Sequence, residues 1–227
     1  MTRSAEVQEA VKNIILQRGL VAGDPLPTEA ELMDTLGIGR NSVREALKSL
    51  QAVGIVDIRH GFGMFVGRMS FNGLVDELAF HGRMDLRSHL SDLIEIRELL
   101  ECGLVELLIE RGCEDRETAL VIERMEAEAR VGPVSPETDK LFHEVLYRPL
   151  GNPLVGSLLG AFWDVYHQLR DTLGTPDEGP VVVAKKHRDI YEAVMAGDRV
   201  AAVAAMRAHF DGVRNRLKRL EDIPRPT

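Results

Sequence analysis

Cysteine is nearly absent from this chain: there are two in 227 residues, Cys102 and Cys113. Both fall in one apolar stretch read as helix, where their spacing sets them roughly 16 Å apart, too far for a disulfide. Their spacing matches no metal-binding pattern either, so they are read as reduced thiols of a cytoplasmic protein. Long apolar runs are missing as well. None approaches the roughly 18 residues that span a bilayer, so no membrane partner is expected. The opening residues MTRSAEVQEAVKNII carry polar groups throughout and lack a signal peptide's apolar core. Internal repeats and low-complexity segments are also lacking. Positive charge is in deficit, with 28 Lys and Arg against 36 Asp and Glu for a net of −8, which excludes an indiscriminate nucleic-acid binder.

What is present suits one large or two small globular domains. Hydrophobic residues make up 44%, and the mean hydropathy of −0.09 excludes a disordered chain. The charge is unevenly spread. Residues 1–70 hold eight basic and eight acidic side chains, so the whole deficit lies beyond residue 70.

Hydrophobic periodicity predicts a helix over 5–18, broken by Gly19 and GDPLP (23–27). Thr28 and Glu31 then form a capping box for a short helix that stops at Gly37. A third helix follows from Arg40 to about Ala52. Two alternating strands, 55–59 and 63–66, are joined by His60-Gly61-Phe62. From residue 71 the pattern is helical throughout, in about seven helices: 71–81, 86–112, 115–131, 135–149, 152–173, 178–196 and 198–221. Gly82, Gly112, Gly132-Pro133, Gly151 to Pro153, Gly174 to Pro176 and Gly197-Asp198 mark the breaks. The expected fold is mainly α, with domains at 1–70 and 71–227.

Three helices followed by a hairpin is the order of a winged helix-turn-helix, whose third helix enters the major groove. Arg40, Arg44 and Lys48 recur at i, i+4 and i+8 on one face of that helix, opposite Val43, Ala46, Leu47 and Leu50. Asn41 and Ser42 put short hydrogen-bonding groups at its N-terminal end. A basic stripe alone is also what a solvated surface helix shows. The wider frame decides the reading. GDPLPTEAELMDTLGIGRNSVREALKSLQAVGIVDIRHGFGMFV, Gly23 to Val66, resembles the DNA-binding domain of the GntR superfamily of bacterial regulators. The resemblance implies that Arg40 and Arg44 read bases with support from Asn41 and Ser42. It also implies that His60 and Gly61 approach the minor groove. Thr28 and Lys48 complete the expected DNA-binding set. Gly39 and Ala30 depart from the family pattern, at positions where a hydroxyl and a basic side chain are usual.

In the helical half, four polar residues sit on apolar faces. Asp139 and His143 lie four apart on one helix, His187 falls in the stripe Val183-His187-Ile190-Tyr191-Val194, and His209 lies beside Met206, Phe210 and Val213. One such histidine is an ordinary core residue; three imidazoles and a carboxylate together suit Zn²⁺ or another divalent metal such as Ni or Mn. This half resembles the FCD effector domain of the FadR-type branch. The marks are E-x-R-x-x-x-E (Glu95, Arg97, Glu101), D-x-x-x-H followed by GN (Asp139, His143, Gly151, Asn152), and His187 to His209 around Gly197-Asp198. The resemblance extends from about Asp85 to Leu220 and implies that these four residues hold the metal.

Arg97 falls on the apolar stripe Leu90, Leu93, Ile94, Leu100, Leu104, Leu108, where a guanidinium needs an anion. That anion is either an internal carboxylate, Glu101 or Asp139, or the carboxylate of a small effector gripped by its fork. Tyr166, Arg170 and Asn215 are further candidates for an effector pocket, with Trp163 and His167 nearby.

The expected function is that of a homodimeric regulator on palindromic operator DNA, most simply a repressor of a catabolic or transport operon. A small carboxylate or sugar acid bound near the metal would release it. A metal-sensing regulator, a metal-dependent enzyme fused to a DNA-binding domain and an architectural DNA protein are the alternatives.

Overall fold

The computed structural model describes residues 3–112, 116–169 and 178–221. The chain divides into two compact units, Met1–Gly73 and Leu74–Thr227.

The first unit holds α1 (Arg3–Gln17), α2 (Glu29–Leu36), α3 (Arg40–Ala52), β1 (Val56–Arg59) and β2 (Gly63–Val66). Val7 and Val11 of α1, Leu32 of α2 and Val43, Ala46, Leu47 and Leu50 of α3 meet Val56 and Met64 of the hairpin in one buried cluster. The capping box forms as its spacing predicts. Thr28 Oγ1 accepts from Glu31 N, and Glu31 Oε2 accepts from Thr28 N at 2.8 Å. Gly39 caps α3 without a side-chain bond. The strands are antiparallel, with Arg59 opposite Gly63.

The GDPLP segment is more than a break. Gly23 N donates to Val66 O, Val66 N to Asp24 O and Leu26 N to Met64 O, each at 2.8 Å, so residues 23–26 run along the free edge of β2. Pro25 is tolerated because an edge position asks no inward N–H of it. Gly67 closes the wing: a Cβ there would lie 1.9 Å from Gly54 O, so no other residue fits.

The second unit is all-helical among the described residues: α4 (Asn72–Met84), α5 (Leu86–Arg111), α6 (Glu117–Val131), α7 (Pro136–Tyr147), a 3-10 turn (Arg148–Leu150), α8 (Pro153–Leu169), α9 (Pro180–Met195), α10 (Arg199–His209) and α11 (Asp211–Glu221). α9 packs against α6 and α10, α6 against α7, and α5 against α10. Phe142, Ile122, Met125, Leu146, Ile190, Met206 and Phe210 are fully buried between them.

Two boundaries differ from the sequence reading. α4 runs through Gly82 to Met84. The glycine is buried there, and an added Cβ would lie 2.6 Å from Leu169 Cδ1, so its smallness serves helix packing. The helix expected over 198–221 is two, divided at Phe210. Phe210 N donates to Arg207 O at 3.1 Å in the closing turn of α10, and Arg214 Nη2 folds back to donate to the same carbonyl at 2.9 Å. Cys102 is half-buried, and Cys113 lies outside the described residues.

Candidate functional site

The site is built on four helices, three of whose starts are set by local chemistry. Ser135 caps α7, accepting from Thr138 N, with Pro136 in the first turn. Behind it Glu128 accepts from Ser135 N and Thr138 Oγ1, both at 2.8 Å. This fixes the turn that carries Asp139 and, one turn on, His143. Gly179 and Pro180 open α9, which carries His187. Asp198 caps α10 by accepting from Ala201 N, and α10 ends on His209. The long α5 carries Arg97 and Glu101.

The three imidazoles converge. Ring centroids lie 5.7 Å apart for His143 and His187, 5.1 Å for His143 and His209, and 4.5 Å for His187 and His209. One nitrogen from each lies within 4.8 Å of the others. Zinc bonds of about 2.0–2.1 Å would set tetrahedral donors roughly 3.4 Å apart, a modest contraction.

The outer nitrogens of two rings are already engaged. His143 Nδ1 is 2.6 Å from Glu101 Oε2, and His187 Nδ1 is 2.8 Å from Val183 O. Both arrangements direct Nε2 inward. His143 Nε2 is buried and makes no hydrogen bond among the described residues, and the buried His187 Nε2 faces the Asp139 carboxylate. Buried unpaired nitrogens are costly unless a ligand meets them. Asp139 Oδ1 is 3.0 Å from His187 Nε2, and its Oδ2 accepts from Trp163 Nε1 at 3.1 Å. Imidazoles tied at Nδ1 beside a held carboxylate fit a divalent ion, with Glu101, Val183 O and Trp163 as orienting partners.

The charge states agree with that fit. Burial opposes ionisation of Asp139, but the adjacent His187, with His143 and His209, holds its carboxyl well below the usual range. Burial pushes the His209 imidazole well below its ordinary range, so its ring is neutral near pH 7. Neutral imidazole is the form that ligates metals.

Arg97 is buried, and its Nε bonds Glu101 Oε1 at 2.7 Å. Of the two anions weighed for it, the internal one is therefore in place. Glu101 is fully buried. Burial would raise its pKa, but the charges of His143 and Arg97 outweigh that and keep it ionised. Tyr147 Oη also donates to Glu101 Oε2, at 3.1 Å. Arg97 nevertheless reaches a cavity of ≈ 140 Å³ that also touches Asp139, His209, Tyr166, Lys186, Glu178 and Arg216, over Ile94, Val183 and Phe210.

Tyr166 thus lines the cavity, while Asn215 is exposed and its neighbour Arg216 faces inward. Arg216 belongs to α11, beyond the break at Phe210, so helical spacing from His209 does not point to it. His167 stacks on Trp163 at 4.8 Å. Arg170 lies outside the described residues. Lys186 and Glu178 were not singled out from the sequence; on helical spacing alone they look like solvated charges.

In the first unit Arg40, Asn41, Arg44 and Lys48 are exposed along α3 and Ser42 is half-buried. Arg44 Nε pairs with Glu29 at 2.8 Å. Thr28 is exposed but engaged in its cap, and His60 and Gly61 stand at the wing tip, Gly61 with φ of +80°. Phe62 beside them is 82% exposed.

A winged helix-turn-helix joined to a helical unit with a ligand-sized cavity defines a DNA-binding transcription regulator. The chain belongs to the GntR family and carries an FCD domain. Bacterial regulatory proteins of the gntR family match residues 3–66, and the FCD domain matches residues 92–212. It is 29% identical to the HTH-type transcriptional regulator LutR of Bacillus subtilis, over 87% of this chain and 93% of that one. It is 28% identical to the HTH-type transcriptional repressor NanR of Cronobacter sakazakii, over 92% and 83%. A solved Streptococcus agalactiae GntR superposes with a TM-score of 0.66 at 27% identity, covering 93% of this chain and 99% of the other. The Zn²⁺-bound FCD domain of TM0439 shares the fold, with a TM-score of 0.50 at 22% identity over 60% of this chain and 97% of that one. These are families of transcription regulators, not enzymes. No helix among the described residues is long and apolar enough to cross a membrane.

Proposed function

We propose that this regulator is a cytoplasmic, homodimeric repressor of a catabolic or transport operon. A small carboxylate or sugar acid binding beside a divalent metal in the second unit releases it. The observation that carries this reading is the convergence of His143, His187 and His209 beside Asp139, next to a small cavity that Asp139 and His209 line together with cations. The metal, Zn²⁺ or else Ni or Mn, would be held by these rings and Asp139. Bound there, it would offer open coordination positions to an effector oxygen. Residues 1–70 would form the DNA-binding domain and 71–227 the sensory and dimerising one. Two protomers would each place α3 in one half of a palindromic operator, with Arg40, Asn41, Ser42, Arg44 and Lys48 on the groove and its phosphates. Thr28, His60 and Gly61 would flank them. Arg97 and Tyr166 supply the cavity's polar wall.

The effector must favour the released state; a full switch needs roughly 10⁴-fold preference. The test is selection of genomic fragments by the purified protein. Anisotropy of the bound fragment is then followed with zinc, with chelator and with small acids. Release by an acid in the presence of zinc supports the reading. Release by chelation alone, with no response to acids, would make the metal itself the signal.

A further inference from the structure

The three cations facing the cavity are not equivalent. Arg97 is paired with Glu101 at 2.7 Å, and Lys186 with Glu178 at 2.5 Å. Arg216 is only 9% exposed, yet its guanidinium meets a neutral group: Nη2 donates to the Tyr166 hydroxyl, whose ring lies 5.9 Å away. Among the described residues no carboxylate comes within ion-pairing distance of it. A buried guanidinium without a counter-ion is costly, and a ligand carboxylate relieves that cost with two parallel bonds.

The remaining charges can be counted in the same way. The Arg97–Glu101 and Lys186–Glu178 pairs cancel. A divalent ion at the histidines keeps one positive charge after Asp139, and Arg216 adds a second. We infer that the effector is a small dicarboxylate, with one carboxylate on Arg216 beside Tyr166 and the other at the metal beside Asp139. This rests on the effector reading above and adds to it the charge of the ligand and the residue that binds its far end. Arg97 becomes a positioning residue, holding Glu101 against His143. The cavity of ≈ 140 Å³ resembles one that holds a six-carbon ring, which suits an acid of about four to six carbons.

The test is calorimetric titration of the zinc-loaded full chain with unbranched dicarboxylates of about two to six carbons, each against the monocarboxylate of equal length. At least one dicarboxylate should bind about tenfold tighter than its partner, the scale of one charge-assisted fork. Arg216→Gln should erase that difference while leaving zinc stoichiometry unchanged. Arg216→Lys, which keeps the buried charge in case the glutamine variant does not fold, should weaken binding but retain the preference. Equal binding of mono- and dicarboxylates by the wild type, or an undiminished preference in Arg216→Gln, overturns the inference and leaves the carboxylate reading standing. If no acid of either class binds the zinc-loaded protein, the carboxylate reading itself fails.

Discussion

His143 Nδ1 lies 2.6 Å from Glu101 Oε2, and the same carboxylate holds Arg97 through its other oxygen at 2.7 Å. One buried acid therefore orients a candidate metal-ligating ring and neutralises the guanidinium below it. Glu101→Gln should weaken zinc binding about 10- to 100-fold, as loss of an orienting carboxylate does elsewhere. Competition with a chelating dye measures it; unchanged affinity would show that the contact serves packing alone.

His187→Ala combined with His209→Ala removes two of the three converging rings. Elemental analysis should find the metal lost from a protein that still binds its DNA fragment when no effector is present. Full metal content in the double variant would place the ion elsewhere.

The recognition helix can be tested apart from stability. Arg44 is exposed and its pair with Glu29 is solvent-facing, worth about 0–1 kcal/mol. Arg44→Ala should therefore shift Tm by no more than a few degrees while abolishing specific binding. Retained binding would contradict the assignment of α3.

The cap that sets α7 gives a pH signature. Backbone and side-chain hydrogen bonds from Ser135 and Thr138, with Arg124, overcome burial and lower the Glu128 pKa from 4.5 to about 2. A carboxyl whose pKa falls on folding adds stability above its unfolded value and loses it as pH drops through the folded one. The Tm gap between wild type and Glu128→Gln should thus be full near pH 6 and shrink towards about pH 2. A gap that does not change with pH would deny the charged cap its role.

Much of this was legible in residue order. The capping box at Thr28 and Glu31, the α3 stripe and the hairpin each depend on neighbours a few positions apart, so local pattern suffices. His143, His187 and His209 could be picked out because each breaks an apolar face. The break at Phe210 was not legible, since neither Phe210 nor its neighbours His209 and Asp211 interrupt a helical pattern, and neither was the buried role of Gly82 against Leu169. Arg216 was hidden for a related reason: alternating charges along α11 look solvated until Tyr166 and the cavity are placed beside them. Lys186 and Glu178 share that ambiguity. Pairing across helices decides which charge is spent and which is free, and it has no sequence period.

On this reading, DNA contact by the first unit is conditional on an acid held in the second. The most direct measurement is operator anisotropy of the zinc-loaded protein during titration with the dicarboxylate that binds best. The DNA complex should be lost at concentrations that saturate the cavity, with no such loss in Arg216→Gln. An operator complex that persists unchanged at saturation would contradict it.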